Sequence, residues 1–322
     1  MIAFTLAEQV RAPDRAWAEL VAHPELLFGY GAPDLVAGQR YRATSQLGSG
    51  GSGVIESVEP ARVAFTWGGP HWPRPGRFVA SAGTELVIDA RDLPETEASA
   101  ARAHWQHMVS GAVRYLDSSN PALTGPVEAV LFDADGVLQQ PRRGWLDDFV
   151  RLGGPDFVPA AFAAEVQCLT GAGDLRAKLT SLLRQAGTGA EVDRVLAVWH
   201  DIVVDHQALA VVNRVRRQGL VVGLATNQQS YRGAHMRDVL GLDRHFDRTF
   251  YSYEVGHAKP SVAYFAHIAE ALRLPPERIA FADDTGPNVV GARTAGLRSV
   301  LHRSVTGADG LAAGLRSLGV PI

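Results

Sequence analysis

The sequence predicts two domains: an N-terminal α+β unit with an antiparallel sheet and a long closing helix, then an α/β unit with a parallel sheet and an inserted set of helices. Three observations carry this. Residues 2–89 hold short runs of strand periodicity broken by turns, and residues 99–116 follow as one amphipathic helix. From residue 127 apolar strand-like runs alternate with helical patterns, as a parallel sheet covered on both faces requires. Between the first two of those runs lie roughly eighty residues, far more than one crossover helix needs.

A chain of 322 residues, 46% of them apolar, suits about two cores. The formal charge of −3 and the pI near 6.4 provide no basic field for nucleic acid. A single cysteine, Cys168, cannot form an internal disulfide, which fits a reducing, cytoplasmic setting. Met1 leads straight into Ile-Ala-Phe-Thr-Leu with no basic segment, and no apolar run approaches the ~18 residues of a membrane span, so neither secretion nor a membrane partner is expected.

In order, residues 2–10 alternate as a strand, and Arg11-Ala12-Pro13-Asp14 opens a helix through Trp17, Leu20 and Val21 that ends at His23-Pro24. Strands are expected at 41–46, 53–58, 63–67 and 84–89, separated by turns such as Glu59-Pro60-Ala61-Arg62. The closing helix presents Trp105, Met108, Val109, Ala112, Val113 and Leu116 on one face. Gly48-Ser-Gly-Gly-Ser-Gly53 fits the dinucleotide pattern, but a strand follows it and not a helix, so a flexible hairpin loop is the better reading. His71-Trp72 and His104, Trp105, His107 lack the Cys or carboxylate partners of a metal site.

Strand, helix, meander and long helix in that order resemble the START-like (SRPBCC) superfamily. Within it the resemblance is to the branch related to the activator of the heat-shock-protein-90 ATPase, through Val10 to Trp17, Gly53 to Pro60 with Phe65-Thr66-Trp67, and His104-Trp105 through Tyr115-Leu116. The resemblance covers residues 1 to about 117. It implies a helix-grip fold, with either a small apolar ligand or a partner protein as its target. The alternative is that Trp17, Trp67 and Trp105 simply form core.

Residues 118–126, rich in Ser, Pro, Asn and Gly, read as a linker, which gives domains of 1–117 and 127–322. Strands are expected at 127–132, 220–225, 248–253, 278–282 and 298–301, with helices at 207–218, 261–272 and 288–295. In such sheets ligands bind beyond the carboxyl ends of the strands. The polar residues there are Asp133 and Asp135 after the first run, Thr226 and Asn227 after the second, Lys259 before the 261–272 helix, and Asp283, Asp284 and Asn288 after the fourth. Singly each has an ordinary reading as a cap, turn or surface charge. Together at one edge they do not.

Asp133-Ala-Asp135-Gly-Val137, Thr226-Asn227, Lys259-Pro260 and Asp283-Asp284-x-x-x-Asn288 resemble, in order and spacing, the four motifs of the haloacid-dehalogenase (HAD) superfamily. Val262 and Gly291 depart from its usual proline and alanine. The resemblance implies a helical cap inserted at about 141–201, where helical patterns run at 147–152, 159–168, 175–186 and 190–200. Arg142, Arg143 and Trp145 are candidates for touching substrate, whereas Trp199 and His200 are expected to pack.

It further implies Asp133 as a phosphoryl-accepting nucleophile and Asp135 as the acid–base group, a residue that dehalogenases lack. Thr226, Asn227 and Lys259 would bind phosphate. Four converging carboxylates raise one another's pKa unless a hard cation joins them, which points to Mg²⁺ held by Asp133, the Asp135 backbone carbonyl and Asp284, with Asp283 and Asn288 in support. The expected function is a Mg²⁺-dependent phosphatase of a small phosphorylated metabolite. Alternatives are a phosphomutase, or a binding protein whose N-terminal domain carries the role.

Overall fold

The computed structural model describes residues 2–29, 31–44, 50–69 and 72–322, and the chain divides into two compact units, Met1–Ser119 and Asn120–Ile322. No helix among the described residues is long and apolar enough to cross a membrane.

The first unit runs β1 (Ile2–Gln9), α1 (Pro13–Ala22), α2 (Glu25–Phe28), β2 (Arg40–Thr44), β3 (Gly50–Glu59), β4 (Arg62–Trp67), β5 (Gly76–Ala82), β6 (Glu85–Leu93) and α3 (Ala98–Asp117). Its six strands form one antiparallel sheet in the order β1-β6-β5-β4-β3-β2. The inward face of α3 turns Trp105 onto Phe65 of β4 and Phe78 of β5, with ring centroids 5.3 Å away in each case. Phe28 meets Phe65 edge-on at 4.9 Å. Burying each such ring contributes about 1.5–3 kcal/mol, so this aromatic cluster is the unit's core.

Two expectations change here. β5 was not foreseen, because its inward positions include the small Ala80 and Ala82 beside Phe78. Gly50 to Gly53 belong to β3 and not to a hairpin loop: a Cβ at Gly53 would collide with the Thr66 carbonyl on the neighbouring strand. Residues 45–46 of the expected second strand, 48–49 of the glycine run and His71 lie outside the described residues. His104 stacks on Trp67 at 4.9 Å, and burial, with His107 nearby, pulls its pKa down to about 4.

The second unit contains β7 (Ala129–Phe132), β8 (Gln139–Pro141), α4 (Trp145–Gly153), α5 (Phe157–Val166), α6 (Leu175–Ala186), α7 (Val192–His200), β9 (Ile202–Val204), α8 (His206–Arg217) and β10 (Val221–Thr226). There follow α9 (Ser230–Ala234), β11 (Arg248–Tyr251), α10 (Ser252–Val255), α11 (Val262–Leu272), β12 (Ile279–Asp283), α12 (Gly286–Thr294), β13 (Arg298–Leu301) and α13 (Gly307–Ser317). The sheet is fully parallel in the order β11-β10-β7-β12-β13. β7 is buried on both faces: Val130 and Phe132 pack toward α8 and α13, Ala129 and Leu131 toward α11. The chain leaves β7 for neighbours on both its sides, which opens a crevice at its carboxyl end.

Register fixes what stands there. Phe132 is level with Leu224 and Ala282, so Asp133 and Asp283 emerge side by side and Thr226 follows next door. The helices α4 to α7 have a core of their own, in which Phe149 meets Trp199 at 4.5 Å among Phe157, Leu179 and Val195. The antiparallel β8–β9 ribbon carries the chain out to them and back. Residues 120–126, expected as linker, are tied to the second unit: Asn120 accepts from the Ser299 N–H at 2.6 Å, and the buried Arg298 donates to the Thr124 and Gly125 carbonyls at 2.9 Å.

Candidate active site

Asp133 follows β7 directly, with its N–H donating to the Ala282 carbonyl at 3.0 Å. Lys259 Nζ lies 2.7 Å from Asp133 Oδ1 and 2.7 Å from Asp283 Oδ2. This ammonium is 1% exposed, so the ion pairs are formed without water. Asp283 is fixed in turn by Asn288 Nδ2 at 3.0 Å and the Thr285 N–H at 2.8 Å, both donating to Oδ1. Carboxylate oxygens of Asp133, Asp283 and Asp284 all come within 4.8 Å of one another.

Two glycines make this approach possible. Gly136 has φ +78°, and a Cβ there would strike the Asp284 carboxylate. Gly291, on α12, has no room for a Cβ because the Pro260 carbonyl packs against it. The departure from alanine noted in the sequence is therefore required by the close seating of the Lys259-Pro260 loop.

Thr226 is buried and its Oγ1 accepts from Gln228 Nε2 at 3.1 Å, which leaves the hydroxyl proton free to donate. The Asn227 side chain bonds Lys259 with both Oδ1 and Nδ2, which leaves its second amide proton and its backbone N–H as donors for a bound anion. Asp135 keeps an exposed edge (34%) but is held by four donors. Arg232 supplies two, at 2.5 and 2.6 Å, Gln228 Nε2 one at 2.8 Å and Gln139 Nε2 one at 3.0 Å.

Charge explains the protonation tendencies. Burial pushes Asp133 up to about 8; Lys259 opposes this, while Asp283 and Asp135 add to it. Burial, then Asp283 and Asp133, hold Asp284 well above the usual carboxylate range. For Lys259 burial acts downward, but Asp133 and Asp283 outweigh it and the ammonium is favoured. Desolvation would lift Asp135, yet Arg232 with Gln139 and Gln228 brings it below its ordinary value. Three carboxylates thus share one ammonium, an excess of negative charge on hard oxygen donors that suits a divalent cation such as Mg²⁺.

The structure brings Asp133, Thr226, Lys259, Asp283, Asp284 and Asn288 to one place, with Asp135 and the Asn227 backbone beside them. Arg142 pairs with Asp148 and Asp201, each at 2.5 Å, where the ribbon meets α4. Sequence reasoning missed Arg232, Gln228, Gln139 and Glu165. Glu165, on α5, is pushed up to about 7 by burial, with Arg232 opposing. The signal available for Arg232 was its place six residues past Thr226, where it reads as an ordinary surface arginine.

Residues 127–296 match the haloacid dehalogenase-like hydrolase family, a span of over half the chain. The chain belongs to that family. Among relatives of this hydrolase, a phosphatase from Mycobacterium tuberculosis is 32% identical over 151 residues, 44% of this chain and 67% of the relative. Drimenol cyclase drtB from Aspergillus calidoustus is 43% identical over 56 residues, 17% of this chain and 11% of the cyclase. The rat bifunctional epoxide hydrolase 2 is 26% identical over 110 residues, 33% of this chain and 20% of that enzyme. The chain thus spans a small part of the cyclase and the epoxide hydrolase. A HAD family enzyme from Bacteroides thetaiotaomicron, solved as a magnesium complex, has the same fold over 58% of this chain and 99% of its own, with a TM-score of 0.52 and 20% identity.

Proposed function

We propose that this HAD-like hydrolase is a Mg²⁺-dependent phosphatase of a small phosphorylated metabolite, working through an aspartyl-phosphate on Asp133. The observation that carries the reading is the Lys259 ammonium, seated 2.7 Å from both Asp133 and Asp283 with Asp284 alongside. The curated relative named a phosphatase supports it.

Asp135 enters the first step protonated: an Asp133 oxygen attacks phosphorus, the ester P–O bond breaks and the Asp135 proton passes to the leaving oxygen, which returns Asp135 to the carboxylate form that Arg232, Gln139 and Gln228 favour. In the second, Asp135 takes a proton from water, whose oxygen attacks phosphorus and releases Asp133 and phosphate. Lys259 uses two of its three donors on Asp133 and Asp283, leaving one for a phosphoryl oxygen. The Thr226 hydroxyl and the Asn227 N–H bind the others, a preorganised set of the kind that usually dominates catalysis. Asp133, Asp284 and the Asp135 backbone carbonyl would hold Mg²⁺, supported by Asp283 and Asn288. When bound, the cation neutralises charge on the carboxylates and the phosphoryl group. The helices α4–α7 serve as the cap that shapes the leaving-group side.

For the first unit we read a START-like domain, supported by its six-stranded antiparallel sheet and the long α3 packed on it, with a small apolar ligand or a partner protein as its target.

The deciding experiment uses the full chain with Mg²⁺ and an aryl phosphate. Hydrolysis with release of inorganic phosphate is expected, and Asp133→Asn should abolish it while the protein stays folded. Undiminished hydrolysis by the variant rejects the assignment, and return of the phosphoryl group to the substrate favours a phosphomutase.

A further inference from the structure

One guanidinium joins the end of β7 to the helical insertion. Arg232 stands on the short α9, its side chain 12% exposed. Its Nη1 and Nη2 donate to Asp135 Oδ2 and Oδ1, and its Nε donates to the carbonyl of Trp199, on α7 of the helical insertion, at 2.9 Å. The same α9 reaches the insertion again through Tyr231. The Tyr231 hydroxyl donates to Asp174 Oδ1 at 2.9 Å, and the Arg176 guanidinium lies 5.4 Å from its ring centroid.

We propose that Arg232 is a positioning residue that makes the orientation of Asp135 conditional on docking of the α4–α7 insertion. A guanidinium is planar and its donors form a rigid fork. With Nε anchored on the Trp199 carbonyl, the directions of both Nη arms are set, and they in turn set the plane of the Asp135 carboxylate. An insertion swung away removes the anchor, and the carboxylate loses its aim. The inference rests on the phosphatase reading with Asp135 as the group that protonates the leaving oxygen.

The test measures kcat/KM of the full-length protein with Mg²⁺ on two substrates. Dinitrophenyl phosphate has a leaving group that needs no proton, and an alkyl phosphate has one that does. Arg232→Met and Arg232→Lys should each lose about a hundredfold on the alkyl ester but under about threefold on the dinitrophenyl ester, the pattern of lost general-acid assistance. Lysine is expected to fail because a point charge cannot hold both Asp135 oxygens and the Trp199 carbonyl. Tyr231→Phe, which weakens docking without touching Asp135, should show the same selectivity at about tenfold. Equal losses on both substrates, restoration by lysine, or no selectivity in Tyr231→Phe would each overturn the proposal. Thermal unfolding screens out misfolded variants; should Arg232→Met not fold, the lysine variant decides. If wild type is active and Asp133→Asn inactive while Arg232 variants lose activity evenly, only this inference fails. Activity in Asp133→Asn would instead sink the phosphatase reading.

Discussion

Asn227 holds Lys259 by both of its backbone polar groups: its Oδ1 accepts from the Lys259 N–H and its Nδ2 donates to the Lys259 carbonyl, each at 2.8 Å. The pair works like one rung of a sheet ladder made by a side chain. It locks the loop that aims the ammonium at Asp133 and Asp283, 32 residues further along the chain than Asn227 itself.

Asn227→Leu removes both bonds and strands the backbone N–H and C=O of the buried Lys259. A stability loss of about 2–6 kcal/mol is expected, from roughly 1–3 kcal/mol for each unpaired group. Loss of a preorganised donor should also lower kcat/KM by about a hundredfold. Denaturant unfolding and steady-state kinetics check the two limbs, and a variant with native kinetics contradicts this role for Asn227.

Divalent-metal dependence should carry a pH signature. Asp133 is pushed up to about 8 and Asp284 also well above its ordinary range. A carboxyl whose folded-state pKa is raised is most favourable to folding below its unfolded value, near 4, and loses that contribution as pH climbs through the folded value. With EDTA present, these two groups should therefore destabilise the chain progressively as pH climbs above about 4, Asp133 doing so until about pH 8. Lys259, raised above its already high value, and Asp135, lowered, titrate outside that window. Added Mg²⁺ should raise Tm more at pH 8 than at pH 5. A larger rise at pH 5, or none at either, argues against a metal on these carboxylates.

Gly291→Ala would restore the residue usual in the family and should nonetheless be harmful here. The new methyl meets the Pro260 carbonyl, and backbone must shift to admit it, at a typical cost of about 1–3 kcal/mol. Because Pro260 follows Lys259, kcat/KM should fall as well. A melting curve and a single kinetic assay suffice, and a neutral or stabilised variant would refute the packing argument.

Much of this site was legible because its chemistry is local in sequence. Asp133 and Asp135, Thr226 and Asn227, and Asp283 with Asp284 each sit at the end of an apolar run, so the parallel sheet alone brings them to one edge. Arg232 was not legible, since its partners lie 97 and 33 residues away and nothing local distinguishes it from neighbouring surface arginines. Glu165 is similar: its altered acidity arises from burial against α7 and α9, which periodicity on α5 does not reveal. In the first unit, β5 escaped notice because alanine at two inward positions weakens the alternation that larger residues make plain.

The β8–β9 ribbon has a consequence for how such a protein diversifies. Pro141 and Ile202 are paired neighbours, so the helices between them begin and end at one point on the sheet domain. Those helices carry their own core, and the five parallel strands complete theirs without them. A different helical module entered and left through the same two strands would leave the sheet edge, with Asp133, Lys259 and Asp283, standing as before. The carboxylates and ammonium at the sheet edge and the helices of the insertion thus lie in separable stretches of chain, joined at Asp135 through Arg232.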